Sequence, residues 1–200
     1  MSEDQMFILG EQTFGNVVQQ IKSEQLELSL PEWFELGRSQ DRAKLKLRDI
    51  LNYHAYDTAW VSETFAGKTV KEVGDKYDGD LLGNDPLGKY QEYSQAAIAA
   101  IKNNYDPDRT VHFSYGDYPA KEAILHVTSF RIFRAYDLAK LIGAETALPA
   151  DLAEAAHKLI EPHADEWRQY GIFKPAQPVP DDADPQAKLF AMAGRDPNWR

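Results

Sequence analysis

Residues 119–143 read PAKEAILHVTSFRIFRAYDLAKLIG. Proline fixes φ near −65° and lacks an amide hydrogen, so it suits a first helical turn. Glycine tolerates the left-handed backbone that closes a helix. Nothing between Pro119 and Gly143 breaks the pattern, and the spacing predicts the longest regular helix of the chain. Val127, Phe130, Leu138 and Leu141 mark its buried side, while Arg134 and Asp137 share or flank that side. Opposite charges three residues apart can pair across a helical turn. Arg134 and Asp137 therefore have two readings. One is a structural ion pair that sets helix register, since a buried arginine needs a carboxylate. The other places Arg134 in a cavity, where its planar donors grip a substrate carboxylate.

Working outward, Asp41–Phe65 predicts another helix, closed at Ala66-Gly67, with Leu47, Leu51, Thr58, Val61 and Phe65 on one stripe and His54 in its middle. Residues 3–24 carry Phe7, Phe14, Val17, Val18 and Ile21 at helical spacing, before Leu30-Pro31 interrupts it. The turn-rich run GDKYDGDLLGNDP ends in Asp85-Pro86, an N-cap and first-turn proline for a helix through Ile101. Thr110–Ser114 alternates but is too short to build a sheet alone, and reads as an extended connector. Beyond Gly143, Pro149–Tyr170 predicts a helix kinked or divided at Pro162. The proline- and aspartate-rich KPAQPVPDDADP leads to a short apolar segment, AKLFAMAG. The expectation is an all-α fold: one domain over 1–200, a four-helix bundle with an extra C-terminal helix, a short extended connector, and the tail 175–200 packed on the bundle.

Composition limits the function classes. Of 200 residues, 43% are hydrophobic and 27% charged, ordinary values for a globular chain. No apolar run approaches the roughly 18 residues that span a bilayer, and the acidic start does not resemble a secretory signal. The absence of cysteine excludes disulfides, zinc–thiolate sites and a thiol nucleophile, and makes the cytoplasm the expected location. With 32 acidic against 22 basic residues the net charge is −10, which repels phosphate backbones and anionic lipid. Expected partners are thus a small molecule, with no nucleic acid and no membrane. A homodimer is allowed by the sequence but not specified by it.

Few residues offer chemistry. His54 lies on an apolar stripe, where an unpartnered ring costs roughly 1–3 kcal/mol. It reads either as a core histidine satisfied by a neighbour, with Tyr53, Tyr56 or Asp57 in reach, or as a ligand. His126 could join His54 in a metal site across the bundle, but two imidazoles fall short of the three or four protein ligands that zinc takes. Glu154, His157, Glu161, His163 and Glu166 read as a solvated face. Asp75, Asp78 and Asp80 miss the spacing of a calcium loop.

LRDILNYHAYDTAWVSETFAGKTVKEVGDKYDGDLLGNDP, RTVHFSYGDYPAKE, AYDLAKLIG and DDADPQAKLFAMAGRDPNW together resemble the mycothiol-dependent maleylpyruvate isomerase-like branch of the DinB/YfiT superfamily over residues 43–199. The resemblance implies a four-helix bundle holding a divalent metal, zinc or another, between a histidine of the second helix and a carboxylate-x-x-x-histidine pair of a later one. There the metal activates a low-molecular-weight thiol, mycothiol, for isomerisation or transfer. His54 stands at, or one residue from, the first position, but the later pair falls on Phe130 and Arg134, which cannot bind a cation. Two functions follow as expectations. The first is a bundle with no assigned cofactor that binds an anion through Arg134, with Tyr53, His54 and Asp137 beside it. The alternative is a metal- and thiol-dependent isomerase or transferase using His54 and His126, with Asp57 or Asp137 completing a rearranged ligand set. In either case no specific DNA complex of submicromolar affinity is expected at physiological salt, which a salt titration of binding measures.

Overall fold

The computed structural model describes residues 1–36, 41–145 and 147–198. The chain is mostly helical. Its elements run α1 (Glu3–Val18), α2 (Leu47–Phe65), α3 (Val70–Val73), α4 (Pro86–Asn104), β1 (Thr110–Phe113), β2 (Gly116–Pro119), α5 (Ala120–Ile142), α6 (Ala150–Ile160), α7 (Ala164–Gln169) and α8 (Pro185–Met192). Short 3₁₀ turns lie at Ser23–Glu27, Arg42–Lys44 and Glu161–His163. Among the described residues, no helix is long and apolar enough to cross a membrane.

The four long helices α1, α2, α4 and α5 pack on one another, chiefly as α1 against α5 and α2 against α4. The expected ends of α5 hold: Pro119 precedes its first residue, and Gly143 adopts φ +70° while the Gly143 and Ala144 amides donate to the Ala139 carbonyl. Asp85 caps α4, accepting from the Gly88 amide at 3.1 Å. The α2 stripe, His54 included, is buried.

Three expectations need correction. The first helix stops at Val18 rather than residue 24, and Ile21 reaches the core from a turn. The second starts at Leu47, not Asp41, because the preceding strand-like segment pairs Ser29 with Lys46. The Thr110–Ser114 connector is half of an antiparallel hairpin, Thr110 opposite Pro119 and Phe113 opposite Gly116. Gly116, at φ +148°, supplies the turn that sequence alternation did not reveal. Pro162 does divide the fifth predicted helix, into α6 and α7. The segment AKLFAMAG forms most of α8, whose Leu189 and Phe190 are buried among Phe133, Tyr136 and Leu152.

The buried arginine is Arg131, not Arg134. Each long helix sends one polar group to the centre: Glu11 from α1, Thr58 from α2, Tyr90 from α4 and Arg131 from α5, all at most 1% exposed. Arg131 Nε donates to Glu11, Nη1 to the Val127 carbonyl and Nη2 to Thr58 Oγ1 at 3.1 Å, and Tyr90 donates to the other Glu11 oxygen at 2.8 Å. The guanidinium also lies over the rings of Phe7 and Phe130, at 4.9 and 4.7 Å. Removing one partner strands the other charge in a dry core. Glu11→Ala and Arg131→Ala should each lose roughly 3–5 kcal/mol in urea unfolding. The paired change Glu11→Leu with Arg131→Met should lose much less than the sum.

Candidate functional site

Three residues of α5 spaced four apart, His126, Phe130 and Arg134, border two neighbouring cavities of about 620 and 470 Å³. The larger is walled by Phe133, by Trp167, Tyr170, Ile172 and Phe173 around α7, and by Glu35, Asp137 and Arg195. The smaller lies between α2, which supplies Tyr53, His54, Tyr56, Asp57 and Trp60, and the hairpin, which supplies Phe113, Ser114 and Tyr115. The two cavities thus share a sill on one helix.

Asp137 is 3% exposed and both its oxygens are taken by Arg195, whose Nε and Nη2 donate at 2.8 Å each. Arg195 arrives from the turn after α8, where Gly194 at φ +78° lies so close to Lys174 that a Cβ would stand 2.6 Å from the lysine side chain. Arg134 stands 3.8 Å from the same carboxylate, donates Nη1 to the Glu35 carbonyl at 2.7 Å, and rests 4.7 Å above Phe34. The Glu35 carboxylate is itself paired with Lys174 at 2.6 Å. Two guanidiniums therefore share one carboxylate. The Arg134 side chain keeps 15% of its surface, and among the described residues its Nε and Nη2 have no acceptor. Burial lowers its pKa, and Arg195 adds to this against the pull of Asp137, yet a guanidinium stays charged.

His54 is buried at 2% exposure, stacked on Phe130 with ring centroids 5.4 Å apart and edge-on to Phe14 and Tyr53. Neither ring nitrogen finds a hydrogen-bond partner among the described residues, so Tyr53, Tyr56 and Asp57 do not satisfy it. Burial, then the charges of Arg134 and Arg131, hold its pKa well below the usual range, and the ring is neutral. Burial pushes the Asp57 carboxyl up to about 6, with Arg131 opposing. Tyr53 stands between the charges: Asp57 and burial raise its pKa and Arg134 lowers it.

The structure brings Tyr53, His54, His126 and Arg134 to one cavity, and Arg134, Asp137 and His126 to the other. A divalent metal does not fit these residues. His54 faces Phe130, His126 is exposed against Tyr118 at 4.9 Å, and among the described residues no three His, Asp or Glu stand together as a ligand set. Sequence reasoning placed Asp57 beside His54, and it missed Arg195 and the Glu11–Arg131 pair. The last had a signal: Arg131 sits seven residues from both Ile124 and Leu138, and Glu11 lies between Phe7 and Phe14 on the α1 stripe. Arg195 had none, since only tertiary folding carries it to Asp137.

Compared with protein-family models, curated proteins and solved structures, the chain finds no match in any of the three.

The folded pKa of Asp57, about 6, lies above its ordinary 3.8. Its contribution to stability is therefore complete below the ordinary value and lost as pH rises through the folded one. At neutral pH the ionised carboxylate costs stability. Asp57→Asn should stabilise the protein by roughly 1–3 kcal/mol near pH 8 and by almost nothing near pH 4, measured by urea unfolding at each pH.

Proposed function

We propose that the protein is a small-molecule binding bundle of the DinB-like, maleylpyruvate isomerase-like kind, in which the guanidinium of Arg134 receives the anionic end of the ligand. The observation that carries this reading is the pair of guanidiniums sharing Asp137. Arg195 occupies both carboxylate oxygens, and Arg134, which lines a cavity of about 620 Å³, keeps donors without an acceptor among the described residues. With Glu35 held by Lys174, the local balance is positive inside a chain of net charge −10. A carboxylate of the ligand supplies the missing acceptor through charge-assisted bonds. The apolar body of the ligand would lie against Phe133, Trp167 and Phe173, in the manner of mostly apolar pockets with a few placed polar groups. The mutual packing of α1, α2, α4 and α5, with α8 laid over α5 and α6, supports the proposed bundle with its extra C-terminal helix.

Arg134 suits this work because it is fixed without being spent. Phe34 below it, the Glu35 carbonyl and the nearby Asp137 hold the guanidinium plane, so little ordering cost remains when a ligand arrives.

Calorimetric titration with paired aromatic carboxylates and their amides tests the proposal. Carboxylates should bind more tightly, and Arg134→Gln should reduce their affinity by roughly 1.5–3 kcal/mol while leaving helix content unchanged. Equal binding of acids and amides, or full affinity in Arg134→Gln, would overturn it. The companion variant Phe130→Glu with Arg134→His, which restores the ligand pair implied by the resemblance, should acquire zinc in elemental analysis. The unaltered protein should hold none, and stoichiometric zinc that is lost on changing His54 or His126 would restore the metal-dependent reading.

A further inference from the structure

The smaller cavity, of about 470 Å³, is built of aromatic rings around one carboxyl group. Tyr53, Tyr56 and Trp60 come from α2, Phe113 and Tyr115 from the hairpin, and Asp57 lies among them. Phe113 and Tyr115 stack with centroids 5.0 Å apart and planes within 4°, and Tyr56 and Trp60 lie 6.1 Å apart. Tyr53 is 50% and Tyr115 59% exposed, so these two rings form the rim. Among the described residues Asp57 makes no hydrogen bond and no ion pair.

Ring faces carry partial negative charge and a carboxylate carries a full one, so together they attract a cation. His54 and His126 also line the cavity, but among the described residues no three His, Asp or Glu stand together as a ligand set, which disfavours a metal ion needing several ligands. An alkylated ammonium is weakly hydrated and gains from ring contact on every side. We propose that this cavity binds an organic ammonium group, enclosed by the five rings and neutralised by Asp57.

The charged surroundings agree. From α5, the cation acting on Asp57 is Arg131, which is already paired with Glu11. Tyr115 from the hairpin and Tyr53 from α2 are neutral phenols, and His54 is a neutral imidazole. Arg134 and His126 also border the cavity; Arg134 Nη1 is held by the Glu35 carbonyl and stands 3.8 Å from Asp137, and both of those partners line the larger cavity. The chain's net charge of −10 favours cations at long range. Because Arg134 borders both cavities, the whole ligand class is a zwitterion, with ammonium in the aromatic cage and carboxylate on Arg134. That last step rests on the anion-binding proposal, whereas the cage stands on its own residues.

The test uses the full chain and two small probes in calorimetry: choline, and its neutral isostere with tert-butyl in place of trimethylammonium. Near pH 8 choline should bind about tenfold more tightly. Near pH 5 that preference should fall by about tenfold as Asp57 takes a proton. Asp57→Asn should abolish the preference at both pH values, and Tyr115→Leu, at an exposed rim position, should reduce choline affinity several-fold with helix content unchanged. Equal affinity for choline and its isostere, or an undiminished preference in Asp57→Asn, would overturn the cage. A trimethylammonio carboxylate separates the two proposals. It should bind more tightly than choline, and Arg134→Gln should remove that gain while choline affinity stays the same. Choline preference with no carboxylate gain sinks the zwitterion and the Arg134 reading but leaves the cage. Carboxylate binding without choline preference sinks the cage alone.

Discussion

The Glu11–Arg131 ion pair fixes how the four long helices meet. Its two side chains come from α1 and α5, 120 residues apart, and Thr58 and Tyr90 complete the group from α2 and α4. A buried pair of this kind adds little net stability over apolar packing, because desolvation offsets most of the attraction. It does penalise every arrangement that separates the partners. A slide of α5 by one turn would replace Arg131 with a neighbour and leave Glu11 charged in a dry interior. The pair therefore sets the rotation and height of α5, and with them the direction of every other side chain on that helix.

The sill between the cavities follows from that placement. With Arg131 turned to the centre, Phe130 lies beside it over His54, and Arg134 emerges one turn later at the edge of the core. Two arginines on one helix thus occupy different electrostatic settings. Arg131 has a carboxylate of its own, and Arg134 shares Asp137 with Arg195, which holds it more closely. The first arginine is structural because it is satisfied. The second keeps donors without an acceptor among the described residues.

The helices were legible because their signals are local. Pro119, Gly143 and the Asp85-Pro86 step mark ends by backbone geometry alone, and the α2 stripe repeats with the helical period. Where tertiary contacts decide, the sequence was silent or misleading. Leu47 becomes the start of α2 because the chain before it pairs with residues 28 and 29. Thr110–Phe113 becomes a strand only because Gly116 turns its partner back. The same divide runs through the site. Arg134, Asp137 and His54 could be named from the stripes they interrupt, and Asp57 from its place beside His54, whereas Arg195 depends on packing between elements distant in sequence. His54 was the sharpest misjudgement: a polar ring in a core usually has a partner, but here aromatic faces take that place.

The link from Arg195 to Asp137 also sets an order of events at the ribosome. Domains begin to fold while their later residues are still unmade, at about 5–20 residues per second. Residue 195 follows residue 137 by 58 positions, so the helices of the core can assemble seconds before the second guanidinium exists. Until then the guanidinium near Asp137 is that of Arg134, 3.8 Å away in the finished fold. A chain released before residue 195 is made would therefore leave both Asp137 oxygens without their Arg195 donors.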